Sequence, residues 1–454
     1  MKILKFGGKS LSNGQGITNV LSIIRDKIKK DKDIVVVLSA RGNATDGLAN
    51  LLAMAKEGND YEALFNQFKA YQTLPLKGNY FQEEFILIRN LLKGVKLTGD
   101  YTLKIKDLLL AQGEILATKT VATLLNEFGV NAKAVDSRQF LKTDSEFGHA
   151  SVFQEVSEQN AIECFAEINS GIIPIITGFI ASNQQGETTT IGRNGTNYTA
   201  SLIANFLNAN EIESYTHVDG IFTADPSIVD NAKIINQITY SEASQLSNFG
   251  ASILHSKSIY PLIKKNISLR ILNTFNADNE GTLISNEKTP TGIKSISVLD
   301  DYAIIDIIGK GLLGKVGTDA RIFSRLGALG ISFGIISQGS SERGVSFIIP
   351  NDVKILARIS LLEEFQNEIS THDIQSIKII DDISVITVVG ENIANFSSSI
   401  AYLKQNKISI LLVNNSISED NISLVVAKRD AQKAVNVIHS QILCYNNYQY
   451  CSHW

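Results

Sequence analysis

The chain has 454 residues, enough for about two to four domains of ordinary size, and its 44% hydrophobic and 19% charged residues can fill ordinary cores. A net charge of −4 and a pI near 6.0 speak against a nucleic-acid or anionic-membrane partner. No run approaches eighteen apolar residues, the first residues open into a strand and not a signal peptide, and Cys164, Cys444 and Cys451 have neither disulfide nor zinc spacing, so we expect a cytoplasmic protein with reduced thiols and no metal held by its own side chains.

Met1 to Phe6 is mostly apolar and predicts a buried strand, followed at once by Gly7 and Gly8. Paired glycines let backbone N–H groups approach an anion, and Lys5 adds a cation at the same spot. Gly8-Lys9-Ser10 is not the tail of a P-loop, because the glycine that motif needs would fall on Ile3. A helical period from Gly14 to Lys30 leads to the apolar run Ile34 to Leu38, completing a β-α-β unit with a parallel pair. Ser39, Arg41, Asn43, Thr45 and Asp46 then crowd the carboxyl end of that second strand, where open α/β sheets bind ligands, although a polar turn explains them almost as well. Residues 47 to 112 carry helical periodicity without obvious chemistry, as a helical insertion would.

The pattern predicts a helix opened by Gly113-Glu114 and ending near Gly129, with Glu114 favourable in its first turn. Ala132 to Asp136, Gly171 to Thr177 and Thr188 to Ile191 read as strands. Gly192 and Gly195 bracket a turn carrying Arg193 and Asn194, with Thr196 as N-cap of an apolar helix to about Leu207. This is a second anion cradle at a helix N-terminus. Two such loops, neither a Walker motif nor a dinucleotide fingerprint, point to a nucleotide-dependent transferase. After a strand from Glu211 to Thr216, the stretch His217 to Ser227 is either a plain loop or a nucleotide pocket with acidic residues near phosphate and Mg²⁺. Helices at Tyr240 to Phe249 and Ser258 to Lys265 and a strand at Leu269 to Leu272 follow, and Gly281 to Ile284 closes the domain.

The remainder contains a repeat of about eighty residues, with Asp301–Gly309 matching Asp382–Gly390 and Ile331–Gln338 matching Ile408–Asn415. Each copy runs strand, helix, strand, strand, helix, the ferredoxin-like order. Neither holds an acid, base and nucleophile set, so the pair is an effector sensor or a dimerisation device. The boundaries are residues 1–285 for the first domain, 286–298 for a linker, 299–378 and 379–442 for the two modules and 443–454 for a tail.

These residues together resemble the aspartate kinases of the amino-acid kinase family, with two ACT-type modules, over nearly the whole length. The similar stretches are Lys5-Phe6-Gly7-Gly8, Leu38-Ser39-Ala40 with Thr45-Asp46, Gly113-Glu114, Gly178-Phe179-Ile180, Gly192-Arg193, Val218-Asp219-Gly220, Asp225-Pro226, Phe249-Gly250-Ala251, Leu254-His255 and Asn273-Thr274. The implied fold is α/β, a three-layer sandwich around a mainly parallel sheet, plus two ferredoxin-like α+β modules. The implied reaction moves the γ-phosphoryl group of ATP, with Mg²⁺, to the side-chain carboxylate of L-aspartate, giving 4-phospho-L-aspartate, the first step of lysine, threonine and methionine biosynthesis. The resemblance assigns transfer to Lys5, Gly7, Gly8 and Asn197, and the aspartate pocket to Ser39, Thr45, Glu114, Arg193 and Thr196. It assigns nucleotide binding to Lys5, Gly8, Ser10, Thr216, His217, Asp219, Gly220, Phe222, Asp225, Ser227 and Ser252.

Five positions depart from the family pattern: Lys9 for threonine, Asn197 and His217 for aspartates, Ser227 for arginine and Ser252 for lysine. They leave room for a catalytically weakened regulatory paralogue, and another amino-acid kinase is the third reading. Gln338, Ser340, Ser341 and Glu342 are similar to the regulatory half of kinases fused to homoserine dehydrogenase, which implies feedback by threonine or lysine. A homodimer through the modules is expected.

Overall fold

The computed structural model describes residues 1–31, 33–168, 171–248, 256–276, 278–310, 317–339, 344–391, 396–415 and 421–451. They form two compact units. The first comprises residues 1–221, 234–244 and 253–289, and the second residues 222–233, 245–252 and 290–454.

The first unit runs β1 (Lys2–Phe6), α1 (Gln15–Lys30), β2 (Ile34–Leu38), α2 (Ala44–Lys56), α3 (Glu62–Thr73), α4 (Gln82–Thr98), α5 (Leu103–Glu127), β3 (Ala132–Val135), β4 (Lys142–Thr143), α6 (Gln154–Ala166), β5 (Ile173–Thr177), β6 (Ile180–Asn183), β7 (Thr188–Thr190), α7 (Gly195–Phe206), β8 (Glu211–Thr216), β9 (Gln237–Thr239), α8 (Tyr240–Asn248), α9 (Ser256–Lys265), β10 (Ser268–Asn273) and β11 (Thr282–Ser285). Eight strands make one sheet in the order β3-β5-β2-β1-β8-β10-β11-β9. Every neighbouring pair is parallel except β10 with β11. Strands β4, β6 and β7 form a separate small sheet.

Central strands of a parallel sheet are covered on both faces, and β2 obeys that rule: all five residues of Ile-Val-Val-Val-Leu are buried. Because side chains alternate along a strand, Leu4, Phe6, Val36, Leu38 and Ile175 pack into one core with apolar residues of α1, α2 and α5. Ile3, Lys5, Val35, Val37 and Ile176 point to the other face, where α7 lies against β1 and β2. The two lysines of β1 meet different fates. Lys2 and Lys27 both ion-pair with Glu213 on β8, at 3.3 and 2.6 Å, whereas Lys5 lies at the strand's carboxyl end without such a partner among the described residues.

The helical insertion is α2 to α4 and the start of α5. Glycine and glutamate at 113 and 114 do not open a helix; they sit midway in α5, which has 25 residues. By length and composition α5 could cross a membrane, yet 83% of its apolar window is buried inside the fold.

The second unit contains β12 (Gly292–Ile308), α10 (Thr318–Ala328), β13 (Ile336–Gln338), β14 (Gly344–Pro350), α11 (Lys354–Glu364), α12 (Gln366–Ser370), β15 (Ser376–Glu391), α13 (Phe396–Gln405), β16 (Ile410–Asn415), β17 (Asn421–Ala427) and α14 (Lys428–Cys451). The two copies of the repeat share one antiparallel six-stranded sheet, in the order β13-β14-β12-β15-β17-β16. Matched residues Asp301 and Asp382 both take positive φ, 65° and 53°, at the bends of β12 and β15. Strand β12 begins inside the stretch expected to be a linker.

Segment 222–233 reads in sequence as a loop of the first domain, yet it is built into the core of the second unit. Ala224 and Val229 are buried with Ile296, Ile386, Leu424 and Val435. Thr223 Oγ1 lies 2.8 Å from His439 Nε2, Ser295 Oγ donates to the Phe222 carbonyl at 2.8 Å, and Asn436 donates to that of Ile228 at 3.1 Å.

Candidate active site

The parallel ladder continues past the ends of its central strands. Gly178 N donates to Leu38 O at 2.9 Å, Ser39 N to Phe6 O at 3.2 Å, and Gly7 N to Tyr215 O at 3.2 Å. The turns after β5, β2, β1 and β8 are thereby fixed side by side at the carboxyl edge of the sheet, the edge at which open α/β sheets bind ligands. A further bond, Gly42 N to Gly8 O at 2.8 Å, presses the turns after β1 and β2 together. No side chain fits at position 8, where a Cβ would lie 2.8 and 2.9 Å from the carbonyl oxygens of Ala40 and Gly42.

A cleft of about 490 Å³ opens at this edge. It is lined by Lys5, Gly8, Ser39, Thr45, Glu114, Arg193, Thr196 and Asn197 among the residues singled out in the sequence, so both glycine turns face one space. Gly7 lies beside it: a Cβ there would stand 3.6 Å from Lys5 Nζ. Lys5 is 8% exposed, and burial alone holds its ammonium down to about 8.

Glu114 reaches the cleft because residue 113 is glycine. A methyl group there would lie 2.8 Å from the Ala40 side chain, so only glycine lets α5 approach the turn after β2 this closely. Glu114 Oε1 then accepts the Ala40 N–H at 3.1 Å, and Oε2 is buried without a partner. Desolvation pushes this carboxyl up to about 8, against the opposing pull of the Ala40 amide.

Asp107 lines the cleft from the same face of α5, two turns earlier. Its Oδ2 accepts from Gly148 N at 2.8 Å and Thr190 N at 2.9 Å, and its Oδ1 accepts from Thr190 Oγ1 at 2.9 Å. It therefore pins β7, and with it the turn that carries Arg193. Sequence reading passed over Asp107 and over Lys106, which also lines the cleft; the available signal was two acids seven residues apart in an apolar helix.

The turn itself differs from expectation in one respect. Asn194, with φ 57°, is the N-cap of α7. Thr196 stands inside the first helical turn, and its Oγ1 accepts a hydrogen bond from Ser39 Oγ at 2.9 Å. Arg193 is exposed at the rim, with no carboxylate partner among the described residues. Lys5, Lys106 and Arg193 face Asp46, Asp107 and Glu114 across the cleft. With the Glu114 carboxyl raised to about 8 it is mostly neutral at pH 7, which leaves the cleft positive and suited to anions.

The expected nucleotide residues do not line this cleft apart from Lys5 and Gly8. Ser10 is fully buried and bonded to Tyr215 O and Thr274 Oγ1. Thr216 Oγ1 lies 3.3 Å from His217 Nδ1, whose pKa is lowered by burial and then by Lys9. Asp219 accepts from Asn273 at 2.7 Å and Asn276 at 3.0 Å, and the Cβ-free Gly220 abuts Thr282. Phe222, Asp225 and Ser227 belong to the second unit, where Asp225 Oδ1 accepts from the backbone and hydroxyl of Ser227. Ser252 lies outside the described residues, as do Ser340, Ser341 and Glu342, while Gln338 ends β13.

Residues 1–273 match the amino acid kinase family, and residues 305–365 and 386–442 match the ACT domain. The bifunctional aspartokinase/homoserine dehydrogenase of Haemophilus influenzae is 32% identical over 470 residues, covering 98% of this chain and 57% of its own length. Aspartokinase 1, chloroplastic, of Arabidopsis thaliana is 28% identical, covering 96% of this chain and 79% of its own. The chain spans about half the length of the bifunctional relatives it matches, 57% to 50% of each. Among solved structures, E. coli aspartokinase III with aspartate and ADP superposes with a TM-score of 0.81 at 24% identity over 98% of this chain and 100% of that one. The aspartate kinase of Clostridium acetobutylicum gives 0.77 at 25% identity over 97% and 100%. Both modules and the mainly parallel sheet are thus shared with aspartokinase structures.

The buried Lys5 has a consequence for stability. Its folded pKa near 8 lies below the ordinary 10.5, so holding the charged form costs stability below pH 8, and that cost is relieved as pH rises from 8 toward 10.5. Lys5→Met should therefore stabilise the protein at pH 7 by about 1–3 kcal/mol in urea unfolding and remove this alkaline gain. A destabilised variant would mean that the ammonium has a partner.

Proposed function

Because the chain belongs to the amino acid kinase family, we propose that it is an aspartate kinase, transferring the γ-phosphoryl group of ATP to the side-chain carboxylate of L-aspartate. The observation that carries this reading is the meeting of Lys5, Glu114 and Arg193 in one cleft. It is supported by relatives named as aspartokinases that cover 96% to 98% of the chain. Arg193 offers a planar fork to the α-carboxylate. The unpartnered Oε2 of Glu114 takes the α-ammonium, whose charge draws the carboxyl into its ionised form. Ser39, Thr45 and Thr196 complete the wall.

Transfer of this kind needs alignment and charge neutralisation more than a covalent intermediate. Lys5, with the amides of Gly7 and Gly8, holds the phosphates where negative charge spreads during transfer. Thr216, His217, Asp219 and Gly220 of the first unit are assigned to the nucleotide on the family pattern. Mg²⁺ would enter with the nucleotide and neutralise charge on its phosphates, and no step is routed through it.

Mg-ATP and L-aspartate with hydroxylamine should yield aspartyl hydroxamate, and L-glutamate should not replace aspartate. Asn197→Asp restores the carboxylate of the family pattern and should raise kcat; a wild type inactive on every amino acid, awakened by that substitution, would support the regulatory paralogue instead.

The free-enzyme groups predict the pH profile. As pH rises toward 8 Glu114 ionises and aspartate capture improves, and above 8 Lys5 loses its charge, so kcat/KM should be bell-shaped with a maximum near 8. Glu114→Gln should raise KM for aspartate about 10- to 100-fold and flatten the acid limb. A profile with an unaltered acid limb would assign it to another group.

Feedback is assigned to the paired modules, by threonine or lysine through Gln338 and its neighbours 340–342, with threonine preferred. The modules also make the proposed homodimer contact. Titrating each amino acid into the hydroxamate assay should lower the rate for one of them, and a rate unmoved by both would remove the assignment.

A further inference from the structure

A second cavity of the first unit, about 480 Å³, lies on the other side of the turn after β2 and shares Gly42 and Asn43 with the cleft. Helix α3 supplies an apolar wall of Leu64, Phe68 and Tyr71, and Lys9 is also in the lining. Also lining it is Gln72, which is wholly buried and has neither its amide nitrogen nor its amide oxygen hydrogen-bonded. A buried amide with both ends unmet costs free energy that a ligand would recover.

The lining of this cavity carries one sign of charge. No carboxylate lines the cavity, and the ammonium of Lys9 has no ion-pair partner among the described residues. Behind the wall Arg41 is 0% exposed, also without a carboxylate partner among the described residues: its guanidinium donates to Gln72 O at 2.9 Å, to Leu11 O at 3.4 Å and to Asn13, and it lies 5.5 Å from the Tyr71 ring centre. Burial lowers Arg41 to about 10, which keeps it charged at neutral pH. One lining cation, with a second buried behind the wall, suits an apolar chamber of this size to a small anion with an apolar body.

We propose that this cavity is a second ligand site, separate from the cleft, for a small monocarboxylate with an aromatic or branched apolar body. Its carboxylate meets Lys9, its body packs on Leu64 and Phe68, and its polar edge satisfies the Gln72 amide. Gly42 and Asn43 are the wall through which occupancy would be felt in the neighbouring cleft.

The test uses the full chain and two probes of one shape, 3-phenylpropionate and neutral 3-phenylpropionamide, followed by calorimetry and ligand-observed NMR with L-aspartate present to fill the cleft. The carboxylate should bind, and Lys9→Gln should weaken it about fivefold while leaving the amide unchanged. Gly47→Leu fills the chamber from α2; a Cβ at that position meets only Phe68 at 3.7 Å, an ordinary contact, and replaces a glycine in a helix, so the variant should fold and bind neither probe. Gln72→Met should weaken the carboxylate severalfold and raise the melting temperature, since it removes the unmet amide. Absence of binding to wild type at about 10 mM probe, a weak-affinity limit, would overturn the proposal. So would equal binding of both probes by wild type, or binding that folded Gly47→Leu retains.

Discussion

The functional part of this protein depends on hydrogen bonds made just beyond the ends of its central strands. A parallel ladder could stop at Leu38, Phe6 and Tyr215, yet the amides of Gly178, Ser39 and Gly7 carry it one step further. Backbone that continues the ladder has its polar groups satisfied and so can be buried, and buried turns can hold side chains in fixed positions. Segments separated by more than 170 residues of chain, such as those carrying Gly8 and Phe179, thereby come to line a single cleft. Helices α5 and α7 then need only approach those segments, which Gly113 permits for α5 and the Ser39–Thr196 hydroxyl pair records for α7.

Strand β1 shows how such a fold separates structural from reactive charge. At its start Lys2 shares the carboxylate of Glu213 with Lys27, and Glu213 is further bonded by the Tyr215 hydroxyl at 2.8 Å. Burial pushes Glu213 up, but Lys27, Tyr215 and Lys2 together bring it net down, as expected of a satisfied ionic cluster. At the other end Lys5 and Glu114 are each buried without an ion-pair partner among the described residues and displaced toward the same pH near 8, from opposite sides of neutrality. Unbalanced buried groups weaken a fold unless something else comes to balance them, and they cluster here in a cavity large enough for a small amino acid and a phosphate.

Much of this was legible in the sequence. The β-α-β start, the glycine turns after β1 and before α7, and the repeated module were all read from periodicity and turn chemistry, because those signals are local. What local signals could not report was close approach in three dimensions. Gly113 looks like a helix opener, since a glycine followed by glutamate fits one, but its absent side chain answers to Ala40, more than seventy positions away. Thr196 looks like a cap because the true cap, Asn194, takes a positive φ that side-chain type only hints at. Asp107 follows Lys106 where the sequence reads as charged helical periodicity without chemistry; its three partners come from the loop at Gly148 and from β7. Segment 222–233 is hardest of all, because its turn residues describe its conformation and nothing about which core receives Ala224 and Val229.

That last segment bears on how the chain can be divided. The boundary between the units is not a single point in sequence: the chain enters the second unit at Phe222, returns at Ile234, and leaves again at Gln245 before its final passage at Pro290. A fragment ended after Thr289 would keep Ala224 and Val229 but lose the apolar residues that bury them, and a fragment begun at Pro290 would carry a core with that plug missing. Limited proteolysis or gene dissection would therefore yield two sticky remnants instead of two independent folding bodies.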